Sequence, residues 1–143
     1  MKLIVFIVAL AGLTSCALVT DISEDALSKK LLGQAYLNQS VTICSIASED
    51  IPVRSLPTRV MYSGDTECSS GKKNHGLVKG AGLSINKLIV REAYSIMSVK
   101  SWYFVGEYNL EDHNMMFYYH YGLGSVSDPE PNHPKDLPWI LKE

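Results

Sequence analysis

The chain has 143 residues, 13 Lys/Arg against 15 Asp/Glu, and a formal net charge of −2. That near-neutral balance, with no basic stripe, excludes nucleic acid and charge-driven binding to anionic lipid as working partners. The length suits one domain, able to bury about two thirds of its unfolded surface and to keep a core without metals.

The chain opens on a basic start, Met1-Lys2, followed by an unbroken apolar run, Leu3 to Leu13. This run has the length of a signal-peptide apolar region and falls short of the roughly 20 residues that span a bilayer. Leu13-Thr14-Ser15-Cys16 comes directly after it: an aliphatic residue, two small residues, then cysteine. The pattern resembles the lipobox of bacterial lipoproteins. The resemblance implies removal of residues 1–15, a lipid-bearing Cys16 as the new N-terminus, and anchoring to the membrane by several acyl chains. Ala17 rather than Asp after the cysteine resembles the pattern sorted to the outer membrane, so the expected place is the periplasmic face of that membrane. Two rival readings stay open: a retained helix extending to Val19, and ordinary cleavage after Ala17, because Ser15-x-Ala17 is also a small-x-small site. Removing 15 residues from 143 leaves 128, with a net charge of −3 once Lys2 is gone.

Residues 16–24 read as a lipidated tether and 25–143 as a single small β domain. Helix formers occupy Ala26 to Leu32, with Leu27 and Leu31 on one face and Asp21 or Ser23 as the cap, so a short helix is expected over 22–32, ended by Gly33. Ala35-Tyr36-Leu37 is a strand candidate, and 38–40 a turn. Val41 to Ile46 alternates, with Val41, Ile43 and Ser45 facing one way and Thr42, Cys44 and Ile46 the other.

Residues 47–76 are irregular, interrupted by Pro52 and Pro57, with a strand candidate at 59–62. A loop this long is functional or tied down. Cys44 and Cys68, an even pair in an exported chain once Cys16 is assigned to lipid, are expected to form the disulfide that ties it; two buried thiols are the alternative. No C-x-x-C occurs to support redox work.

Strand signals return at Leu77-Val78, turn at Gly80 to Gly82, and run on from Leu83 to Val90. A weaker candidate covers 94–99. Ser101 to Tyr108 alternates strongly: Trp102, Phe104 and Gly106 lie on one side, Tyr103, Val105 and Glu107 on the other. A polar hairpin loop at 109–114 leads to a returning strand, Met115 to Tyr121. Four of the six prolines fall between 129 and 138, so this stretch reads as an extended connector. Trp139-Ile140-Leu141 is apolar enough to dock as a last strand. The sum is a mainly β fold: a small SH3-like barrel or sandwich of about six short strands with one short N-terminal helix. Leu32-Gly33 through Cys44, then Leu77 through Tyr121, where Lys79-Gly80-x-x-Leu83-x-Ile85 leads into a pair of long strands, resemble small SH3-like barrels of uncharacterised bacterial lipoproteins. The likeness covers about half of the mature chain, and the 47–76 insertion departs from it.

The histidines, His75, His113, His120 and His133, lack ligand spacing; a zinc site built from two of them with Asp112 or Asp128 is the weaker alternative to solvated histidines. There is no Gly-x-Ser-x-Gly elbow and no phosphate-cradling loop, and Glu107, Glu111 and Asp112 crowd a turn that needs only to be soluble. No catalytic residue, metal or cofactor is assigned. The unusual feature is the ring density of two adjacent strands, which puts aromatics on both faces. Trp102, Phe104, Phe117 and Tyr119 suit the core. Tyr103, Tyr118 and His120 are the expected exposed set, a binding patch unless the helix or the tail covers it. A non-enzymatic binding or scaffolding lipoprotein is therefore expected, with an envelope protein or peptide as partner. The alternative is an inhibitor or immunity-type lipoprotein that projects loop 47–76 into an envelope-directed enzyme or toxin.

Overall fold

A computed structural model describes residues 16–69 and 75–143. The signal-peptide reading of residues 1–15 lies outside the described residues, as does the basic Gly71-Lys72-Lys73. The described residues are mainly β, with nine strands in one sheet that curls into a half-barrel. In chain order these are β1 (Cys16–Asp21), β2 (Gly33–Leu37), β3 (Val41–Ser45), β4 (Arg59–Ser63), β5 (His75–Leu77), β6 (Gly82–Tyr94), β7 (Val99–Leu110), β8 (His113–Ser125) and β9 (Trp139–Leu141), with a turn of α-helix, α1 (Ala26–Lys29), and a 3-10 turn at Ser48–Asp50. The order across the sheet is β5-β3-β4-β8-β7-β6-β2-β9, and β1 pairs with the free half of β6.

The frame is the β6–β7–β8 meander. Its strands are 12 or 13 residues long, not short, because two irregularities let them continue around the curl. Asn86 is an extra residue between Ile85 and Lys87, which pair with Gly106 and Val105. Tyr121 is a second one, between His120 opposite Tyr103 and Gly122 opposite Trp102. Each bulge bends its strand and shifts the side-chain phase. The first puts Leu88 and Val90, not Lys87, in line with Leu83 and Ile85 on the inner face. The β7–β8 turn is the two residues Glu111 and Asp112, both at positive φ (50° and 64°), the backbone that a tight hairpin needs.

Two expectations at the N-terminal end are corrected. Residues 16–21 are not a tether but a strand, in register with β6 from Cys16 opposite Tyr94 to Asp21 opposite Ile89. The helix is a single turn, not 22–32. Asp21 accepts hydrogen bonds from the Ser23 amide (2.9 Å) and hydroxyl, and the Ser23 hydroxyl accepts from the Leu88 amide (3.0 Å). These bonds hold 21–23 as a turn against the sheet, so helical geometry begins only after Asp25. It ends before Gly33, whose φ of 138° favours glycine.

Two cores lie on opposite faces of the sheet. The inner one gathers Val41, Ile43, Met61, Leu83, Ile85, Leu88, Val90, Trp102, Phe104, Phe117, Tyr119 and Trp139. Trp139 meets Tyr119, Phe104 and Phe117 at ring-centroid distances of 5.2, 5.5 and 6.4 Å. The outer one gathers Cys44, Val53, Leu56, Val60, Ile89, Tyr103, Val105 and Tyr118. The alternation read from 41–46 and 102–107 is the alternation between these cores. Cys44 and Cys68 form the expected disulfide, with a Cα–Cα distance of 5.6 Å.

Candidate functional site

The rings expected to form an open patch do come together. Tyr103 lies 5.9 Å from Tyr118 and 5.2 Å from His120 between ring centroids. They are not exposed: Tyr103 and Tyr118 are 6% and 5% accessible. The cover is neither the helix nor the tail. It is the strap 46–56, which lays Ile46, Ile51, Val53 and Leu56 over the rings and is backed by the Cys44–Cys68 bridge. Burial, followed by the neighbouring Tyr62 and Tyr103 hydroxyls, pushes the Tyr118 phenol up to about 12. His120 is half-buried. Desolvation, then the nearby Lys135 ammonium, lowers its pKa, against a hydrogen bond to the Gly122 backbone that raises it. Its Nε2 is buried without a hydrogen-bond partner. This side of the sheet is a second core.

The open concavity is on the inner face, at the end of the half-barrel that Trp139 does not fill. It is a cavity of about 700 Å³. Leu88 and Val90 of β6, Trp102 of β7 and Tyr121 of β8 form its floor. Thr20 of β1 and Ile22 just after it, with Leu27 and Leu31 around α1, form one wall, and Pro129, Pro131 and Pro134 form the other. Each wall has a local cause. The Asp21–Ser23 turn swings the chain off β1 so that α1 overhangs β6, leaving Leu27 60% exposed. The proline-rich tail cannot pair as a strand, yet it is fixed to β8 by two backbone bonds: the Asn132 amide donates to the Leu123 carbonyl (3.0 Å) and the Lys135 amide to the Tyr121 carbonyl (2.8 Å). Gly122 makes that approach possible, since a Cβ there would stand 2.6 Å from the Pro131 Cβ.

One ion pair crosses this apolar wall. Lys100 Nζ lies 3.6 Å from Glu92 Oε1, donates to the Asp128 carbonyl at 2.8 Å, and sits 5.2 Å from the Trp102 ring centroid. Asp25, Lys30 and Glu130 add charge at the rim. The arrangement is an apolar slot with a polar edge, the usual make-up of a small-molecule site. Among the described residues no three His, Cys, Asp or Glu side chains gather to hold a metal, and no helix is long and apolar enough to cross a membrane.

None of the cavity residues was singled out as a site from the sequence. Leu27 and Leu31 read only as a packing stripe, and the prolines only as a connector. Comparison with protein families, curated proteins and solved structures gives no match.

Proposed function

We propose that this protein is a non-enzymatic binding module of the cell envelope, anchored by lipid on Cys16 at the periplasmic face of the outer membrane. Its ligand is a small, mainly apolar molecule held between α1 and the proline tail. The anchor rests on the Leu13-Thr14-Ser15-Cys16 pattern. The binding reading rests on one observation: a 700 Å³ apolar cavity walled by two segments that do little else. The inhibitor reading is the weaker of the two, because the first part of its projecting loop is folded down over Tyr103 and Tyr118.

Titration with N-phenyl-1-naphthylamine, which brightens in apolar surroundings, tests the cavity. The parent is expected to bind about one probe, displaced by a long-chain fatty acid. Val90→Trp, which fills the floor, and Leu27→Arg, which puts charge on the exposed wall, are each expected to weaken binding at least tenfold. No saturable binding by the parent, or undiminished binding by both variants, refutes the site.

A further inference from the structure

We propose that the β6–β7 turn, residues 95–98, enters the lipid bilayer beside Cys16, an inference that rests on the lipid-anchor reading above. In the register of β1 on β6, Cys16 stands opposite Tyr94, the last residue of β6 before the turn. No slack separates them, because β1 begins at Cys16 itself. An acylated Cys16 therefore holds the turn at the bilayer surface.

The turn has the chemistry for that position. Residues 93–99 are Ala93, Tyr94, Ser95, Ile96, Met97, Ser98 and Val99, with no charge among them. Ile96 is fully exposed and Met97 76% exposed, the two most accessible large apolar side chains described. Leu18, two residues along β1 from Cys16 and opposite Glu92, is 54% exposed. Entering lipid costs most for backbone groups without partners. Here the serines supply partners from within the turn: Ser95 Oγ donates to the Met97 carbonyl (3.0 Å) and accepts from the Met97 amide (3.3 Å), and Ser98 Oγ donates to the Ser95 carbonyl (3.5 Å). Tyr94 donates its hydroxyl to Glu92 at 2.6 Å, an apolar ring with a polar tip that suits the interface. The first charges back from the tip, Glu92 with its partner Lys100, then Arg91, stand where headgroups would be.

The test places a polarity-sensitive nitrobenzoxadiazole probe at Ile96→Cys or, as the control, at Asn114→Cys by the opposite hairpin. Each labelled protein is reconstituted in phosphatidylethanolamine–phosphatidylglycerol vesicles with and without doxyl-labelled chains. Emission at 96 is expected to shift to the blue and to be largely lost to the doxyl quencher, with emission at 114 unchanged. Intact mass of the same samples reports whether Cys16 carries acyl groups. An acylated protein whose probe at 96 behaves like that at 114 overturns the proposal and leaves the anchor standing. If the mass shows a bare chain, both variants are rebuilt with Cys16→Ser: quenching at 96 then supports the turn without the anchor, and no quenching overturns it. A blue shift that appears without lipid assigns the turn to a second copy of the chain and also overturns it.

Discussion

Gly106→Ala isolates a close approach between strands of the meander. An alanine Cβ at this position would lie 2.7 Å from the Ser84 carbonyl oxygen and 2.8 and 3.0 Å from Phe117 Cζ and Cε1. Neither neighbour can withdraw easily. Ser84 is paired with Glu107 in the β6–β7 ladder, and Phe117 is fully buried against Trp139 and Tyr108. Alanine in a strand regains about 0.5–1 kcal/mol over glycine by restricting the unfolded chain. Overpacking a tight core costs about 1–3 kcal/mol. The packing term wins, for a net loss of about 1–2 kcal/mol. In urea unfolding of the oxidised protein, that loss lowers the midpoint by roughly 0.5–1 M at unchanged slope. Phe117→Leu removes the ring contact but not the carbonyl contact, so the double variant should recover at least about 0.5 kcal/mol relative to the sum of the singles. Gly82→Ala, with nothing within 4 Å of its Cβ and no positive φ, is the control and should stay within about 0.5 kcal/mol of the parent. A Gly106→Ala midpoint at or above the parent's refutes the account.

The Cys44–Cys68 bridge closes a loop with a sequence separation of 24, for which the chain-entropy treatment gives about 3–3.5 kcal/mol. Replacing both cysteines with alanine should lower stability by about that much and raise proteolysis within the strap 46–56, read by mass spectrometry of the fragments. His120 should make stability depend on pH. Burial depresses its folded pKa, so below the unfolded value of about 6.5 the unfolded chain binds the proton more readily. Stability is then lost as pH falls through that value toward the folded pKa. The melting temperature of the parent should fall more steeply below pH 6.5 than that of His120→Phe, and parallel curves would refute the assignment.

The strands were legible because burial here follows period two. Val41, Ile43, Trp102 and Phe104 enter the inner core while Cys44, Tyr103 and Val105 enter the outer one, so both faces of these strands were marked in the residues. The bulges were not legible, because Asn86 and Tyr121 look like ordinary strand residues and become extra only against a partner far away in sequence. The tether expectation failed at 16–21 for a related reason: Cys16 to Asp21 has little alternation of its own, and its strand form comes from the unpaired half of β6. Tyr103 and Tyr118 were expected outside because Trp102, Phe104, Phe117 and Tyr119 make the better core. The overlooked signal was in the strap, where Ile51, Val53 and Leu56 punctuate a proline-broken stretch. Apolar residues that recur in an irregular segment need something to lie on, and those rings are what they lie on. The cavity left the faintest trace, since its walls come from opposite ends of the chain and meet only across the curl.

The outermost strands of the sheet are its shortest. β5 and β9, at the two ends of the order, have three residues each. A sheet margin with free amides and carbonyls invites a second chain to add on and spread as an aggregate, and very short margins leave it little to grip. The longer margin is β1, six residues that among the described residues pair only with β6. It starts at Cys16, so with the proposed lipidation the stretch most open to growth by strand addition would also be the stretch nearest the anchor. An anchor at that residue would bring β1 to lipid before it met another copy, and crowding at a membrane would then not have to become fibre growth.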